Sequence, residues 1–169
     1  MTLILAARGA EGDAILAGDR YLGEPTSPIF DLLAVPKISQ VFGGEAWFGY
    51  AGDPTNMDQL IELMAGHSGT LSLFTKIARK QMPEERPDIS GLLVWGKDIY
   101  YMDEGYAWFQ TSRPFAAIGI GRDFAMGSLA YAAKTGALSR NPLLAIQRTM
   151  ALAASHSDGI KPPFDYSVD

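Results

Sequence analysis

Behind the initiator Met1 stands Thr2, whose α-amine would be free once Met1 is removed. That one residue would then hold both a hydroxyl nucleophile and a base to take its proton. A threonine hydroxyl attacks weakly without such a base, and an α-amine titrates near about 8, close to working pH. Taken alone, a threonine at this position is usually just the second residue of a chain. The other candidate chemistries fail on residue type or spacing. There are no cysteines, which rules out a thiol nucleophile, a thiolate zinc site and disulfides. His67 and His156 stand apart, with no second ligand at metal spacing. Gly66-His67-Ser68-Gly69 lacks the second glycine that a nucleophile elbow needs two residues after the serine. Gly119-Ile120-Gly121 begins like a dinucleotide loop, but Phe124 stands where the third glycine belongs. Neither a cofactor nor a metal is expected.

The bulk properties narrow the classes. A chain of 169 residues, 47% hydrophobic and 20% charged, fits one globular domain spanning 1–169. A net charge of −5 argues against a nucleic acid or an anionic membrane held on a basic face. The apolar start is short and lacks a basic region, so it does not read as a signal peptide. No apolar run reaches the ~20 residues of a membrane span. The expected location is the cytoplasm.

The elements around Thr2 follow from patterning. Residues 3–8 and 14–19 are nearly continuous apolar runs about a Gly-rich turn, which predicts a hairpin covered on both faces. Residues 21–34 carry Gly23, Pro25 and Pro28 and read as loop. A strand over 37–42 turns at Gly43-Gly44-Glu45 into Ala46–Tyr50, followed by Ala51-Gly52. Asp53 and Pro54 then offer an N-cap and first residue for a helix with Met57, Leu60, Ile61 and Met64 on one face, stopped at Gly66. A second helix is expected over 70–81, with Leu73, Phe74, Ile77 and Ala78 as its stripe, ended by Pro83 and Pro87. Strands are expected over 89–95, 99–102, 106–110 and 116–119. Two helices follow: 123–135, striped by Met126, Leu129, Ala130 and Ala133, and one capped by Asn141-Pro142 and striped by Leu143, Ile146, Met150 and Ala153. A last strand is expected within 160–168. Helices thus come in pairs between groups of strands, which disfavours a doubly wound parallel sheet. The expected class is α+β, a four-layer αββα sandwich with two antiparallel sheets.

Thr2 at the start, Gly18-Asp19-Arg20 closing the second strand, Lys37 opening the third and Ala51-Gly52 before the first helix form an ordered set. With Ala117-Ile118-Gly119-Ile120-Gly121 before the third helix, the set resembles the proteasome β-type family of N-terminal-nucleophile hydrolases, most of all its HslV-like bacterial and phage branch. The likeness spans nearly the whole chain. It implies the four-layer fold, threonine-type peptide hydrolysis and ring assembly.

On the matching positions, the resemblance makes Thr2 the nucleophile. Lys37 lowers the amine pKa and stabilises the alkoxide, and Asp19 keeps Lys37 charged and aimed. The Gly52 N–H serves the oxyanion, a role worth roughly 3 kcal/mol in hydrolases. Arg20, Gly121 and Asp158 are supporting positions. Outside the family, Lys37 and Asp19 would read as a surface ion pair and Gly52 as a turn residue. Two departures stand out. Ile120 occupies the place of a serine that helps position the amine, and the family's C-terminal Asp-and-Ser pair is echoed only by Asp158 with Ser155 or Ser157. The expected substrate is a peptide or unfolded protein. The expected partners are copies of the chain, roughly six or more in a closed ring, and a separate ATP-dependent unfoldase. The alternative is a proteasome-like assembly protein without catalysis, in which Asp19 and Lys37 persist as a structural ion pair.

Overall fold

A computed structural model of the chain describes all residues except 1, 13, 23–30, 33–35, 53–55, 83–88 and 169. Strand β1 (Leu3–Ala7) pairs antiparallel with β2 (Ile15–Asp19), as the two apolar runs require. Strands β3 (Tyr21–Leu22) and β4 (Asp31–Leu32) form a two-residue antiparallel ribbon where the sequence reads as loop. The Gly and Pro residues that prompted the loop reading lie outside the described residues. Strands β5 (Ile38–Val41) and β6 (Ala46–Gly52) are joined by a tight 3-10 turn over Phe42–Gly44. Its two glycines take positive φ there, which their lack of a Cβ permits.

Helices α1 (Met57–Ala65) and α2 (Leu71–Gln81) follow. The expected Asp53-Pro54 start lies outside the described residues, and α1 begins after Asn56. Thr70 caps α2, its hydroxyl accepting from the Leu73 N–H. Phe74 and Ala78 are buried, but Leu73 is exposed: the helix turns Phe74 inward and puts Leu73 on its outer shoulder. The proline stops at 83 and 87 are outside the described residues.

Strands β7 (Ile89–Trp95), β8 (Asp98–Met102) and β9 (Trp108–Gln110) complete a meander. Tyr106 belongs to the turn and not to β9. The Asp103 carboxylate accepts from the Gly105 and Ala107 N–H groups and curls the chain, leaving Tyr106 at φ 59°. After β10 (Phe115–Gly119) come α3 (Arg122–Lys134), a short α4 (Ala137–Arg140), α5 (Pro142–His156) and β11 (Phe164–Tyr166). Helix α4 was not apparent from periodicity; Gly136, at φ 72°, ends α3 and opens it in one step. Helix α3 buries Ala125 and Leu129, whereas Ala130 of the expected stripe is exposed. Asn141 caps α5, accepting from the Leu144 N–H.

The strands make a four-stranded sheet, β10-β1-β2-β11, and a five-stranded sheet, β5-β6-β7-β8-β9. All their pairings are antiparallel. Three apolar layers define the sandwich. Leu3, Leu5 and Ala7 pack with α3 and α5 on the outer face of the smaller sheet. Ile4, Ala6 and Leu16 pack against Leu92, Val94 and Ile99 between the sheets. Phe48 and Leu93 pack under α1 and α2. Strand β1 is therefore buried on both faces, which explains its unbroken apolar run. Gly18 and Gly49 let the sheets close over Ile4: a Cβ at either would stand 2.8 Å from an Ile4 methyl. The architecture is the α+β four-layer αββα sandwich. No described helix is long and apolar enough to cross a membrane.

Candidate active site

Chain ends and strand ends gather at one end of the inter-sheet space. Thr2 immediately precedes β1, Asp19 closes β2, Lys37 immediately precedes β5 and Gly52 closes β6. β1 also runs beside β10, with Leu3 opposite Gly119. Three side chains distant in sequence thus meet. Lys37 Nζ donates to Thr2 Oγ1 at 2.8 Å and to Asp19 Oδ1 at 3.1 Å. The same Asp19 oxygen accepts from the Leu3 N–H at 2.9 Å. Asp19 is thereby tied both to the residue after the hydroxyl and to the cation facing it.

The cluster is nearly closed to solvent. Asp19 is 0% exposed, Lys37 2% and Thr2 8%. Burial pushes the Lys37 ammonium below its ordinary pKa, opposed by the Asp19 carboxylate and its hydrogen bond. A buried lysine with an opposed carboxylate can hold a proton at the hydroxyl and stabilise negative charge there. Tuned groups of this kind are frequent in catalytic sites.

The backbone completes the frame. The Thr2 carbonyl accepts from the Ile120 N–H at 2.9 Å. Gly119 is held at φ 88°, and a Cβ there would stand 2.0 Å from the Thr2 carbonyl oxygen and 3.3 Å from the Ala51 Cβ. Only glycine lets the three strand ends approach so closely. Gly119 is the residue that motif reading undervalued. The signal was present: a glycine ends the apolar run Phe115–Ile118.

The other sequence candidates divide. Gly52, at φ 115°, is exposed at the end of β6, next to the Ala51 that borders Gly119. Gly121 is buried as the N-cap of α3, where a Cβ would stand 2.4 Å from the Ile160 Cδ1 and 3.2 Å from the Leu3 Cδ2. Its contacts are packing contacts. Arg20 makes a bidentate bond to Asp165, with Nε at 2.8 and 2.9 Å from the two oxygens, and links the end of β2 to β11. Asp165 raises the Arg20 pKa through that bond and its charge. Asp158 is exposed in the turn after α5, and among the described residues no hydrogen bond or ion pair joins it to Thr2. Ser155 donates to the Leu152 carbonyl on its own helix. Ile120 places its backbone at Thr2 while its side chain is 61% exposed. Among the described residues no cluster of three or more His, Asp or Glu side chains could hold a metal.

No protein-family model matches the chain. No curated protein sequence matches it either. Solved structures do. HslV from Trypanosoma brucei superposes with a TM-score of 0.73 at 17% identity, covering 98% of this chain and 97% of that one. Thiobacillus denitrificans BPH in complex with epoxomicin gives a TM-score of 0.76 at 18% identity, with 97% and 96% covered. A second structure of BPH gives 0.71 at 17% identity, with 97% and 95% covered. At these identities the likeness is one of fold over the whole length of the chain: it is the proteasome-like sandwich of HslV and BPH.

Proposed function

We propose that the chain, once Met1 is removed, is a threonine-type amide-bond hydrolase acting on peptides or unfolded protein. The observation that carries the reading is the buried contact of Lys37 with the Thr2 hydroxyl and Asp19. The α-amine of Thr2 takes the Oγ1 proton as that oxygen attacks the substrate carbonyl carbon. Lys37 offsets the charge gathering on Oγ1, and the Gly52 N–H serves the new oxyanion. Collapse breaks the C–N bond, and the ammonium returns the proton to the departing amine. An ester on Thr2 remains, which water cleaves by the same proton path reversed. With Met1 in place the nitrogen is an amide and the base is missing. The complex of BPH with epoxomicin, an epoxyketone, suggests that class of compound as a chemical probe of the reading.

Intact-mass measurement asks whether Met1 is lost, and epoxyketone labelling asks whether Thr2 reacts. A Met-free protein with no adduct on Thr2 would end the proposal. The rival is an assembly protein without catalysis. One observation favours it: Ile120, where the resembling family has a serine, brings no hydroxyl to the amine.

We further infer a closed homo-oligomeric ring of roughly six or more subunits, by closure of heterologous contacts and fold analogy. Phe124, Tyr131, Leu144 and Leu152 are exposed on the outer helices α3 and α5, where neighbouring copies would pack. A separate ATP-dependent unfoldase would deliver chains to such an interior. Light scattering decides the ring: a stable monomer of 18.3 kDa with no larger species would refute it.

A further inference from the structure

A cleft of about 380 Å³ opens beside Gly119, lined by Ser90, Tyr101, Ile118, Gly119 and Arg122. Its position ties it to the reaction centre. Gly119 is the residue whose missing side chain admits the Thr2 carbonyl, and Ser90 lies opposite Ala51 in the β6–β7 register. Tyr101 and Ile118 belong to the packing between the two sheets, so the cleft is an extension of the inter-sheet mouth.

Its chemistry is one-sided. Among the described residues no carboxylate lines it. Arg122 is exposed, with no ion pair or hydrogen bond to any described side chain. Ser90 and Tyr101 bring two hydroxyls, and no hydrogen bond joins either to another described side chain. Ile118 supplies an apolar wall. A guanidinium with two hydroxyl donors fits a carboxylate, since arginine presents a planar fork of donors and no acceptor.

We propose that this cleft makes Arg122 a specificity-determining residue that binds a carboxylate of the substrate next to the bond being cut. The inference rests on the hydrolase reading above. The carboxylate has two sources, an Asp or Glu side chain or the C-terminus of a short peptide. In either case Arg122 donates to the anion, and Ser90 and Tyr101 satisfy its remaining lone pairs. A charge-assisted bond at such a partly open site supports a preference of roughly tenfold.

The test uses Met-free full-length protein and one peptide sequence in several forms. C-terminally amidated peptides carry a single Glu, Gln or Lys at each position flanking the scissile bond, and the Gln peptide is also made with a free C-terminus. The kcat/KM ratio of Glu to Gln is expected to be roughly tenfold at one position. A ratio of that size only for the free C-terminus assigns the carboxylate to the chain end. Arg122→Gln should bring the ratio to one, and Arg122→Glu should reverse it in favour of Lys, which a merely structural role would not do. Epoxyketone labelling is read in parallel. Labelling without any carboxylate preference, or with one that Arg122→Gln leaves intact, overturns this inference and spares the hydrolase. Absence of labelling ends both.

Discussion

The Thr2 carbonyl oxygen occupies the space that a side chain at Gly119 would need: a Cβ there would stand 2.0 Å from it. Gly119 also holds φ 88°, and the neighbouring Ile120 N–H binds that same oxygen. The strand carrying the hydroxyl is seated by a glycine whose own chemistry is nil. Gly119→Ala should therefore cost about 1–3 kcal/mol from backbone strain alone, and more from the clash. It should also displace Thr2 from Lys37. Urea unfolding together with epoxyketone labelling checks this; wild-type stability with wild-type labelling would contradict the account.

Lys37→Met leaves Asp19 buried without its cation. Removing one partner of a buried pair costs about 3–5 kcal/mol, and the hydroxyl loses the donor at 2.8 Å. Processed Lys37→Met protein should be less stable and unreactive toward the epoxyketone. Retained labelling in a folded variant would remove Lys37 from the mechanism. Under the assembly-protein reading the stability loss remains, but wild type shows no labelling to lose.

Burial lowers the Lys37 pKa from 10.5, and the sign of the consequence is definite. Between the lowered value and 10.5 the unfolded chain holds a proton that the folded chain has released. Stability contributed by this group is therefore least below that window and rises with pH through it. Tyr50, Tyr100 and Tyr166, all shifted upward by burial first, titrate in the alkaline range too, so the comparison must be with Lys37→Met. The wild-type minus variant difference in unfolding free energy should rise with pH approaching 10.5. The Lys37 side-chain NMR titration should have its midpoint below those of exposed lysines. A midpoint at or above 10.5 would refute the shift.

Ile120 can be exchanged with little disturbance, because its side chain is 61% exposed and its contact to Thr2 runs through the backbone. Ile120→Ser keeps that contact and restores the hydroxyl that the resembling family has at this position. Stability should change by less than about 0.5 kcal/mol, and processed protein should label faster. A slower reaction would show that a serine here does not assist this site.

Much of the architecture was legible because it rests on local pattern. The doubly apolar runs at 3–8 and 14–19 required cover on both faces, and paired helices between strand groups required stacked antiparallel sheets. The helix cap Asn141 was readable from residue type and position. Less legible were features fixed by one side chain's reach. The Asp103 carboxylate withdraws Tyr106 from its strand, and Gly136 serves two helices at once. Periodicity does not encode either.

The same division runs through the site. The sequence by itself determined which groups were available: a hydroxyl at Thr2, a carboxylate closing the second strand and a lysine opening the third. Motif order suggested that they act together, with Arg20, Gly121 and Asp158 as supporting positions. Only the tertiary structure separated them. It turned Arg20 toward Asp165, packed Gly121 against Ile160, left Asp158 in solvent and brought Lys37 between Thr2 and Asp19. The reason is that strand order and register, set by burial of whole faces, decide which distant ends meet. Spacing along the chain carries no such distance. The availability of Arg122 at the cleft beside Gly119 was likewise decided by the closing of the two sheets, since nothing in its neighbouring residues marks it.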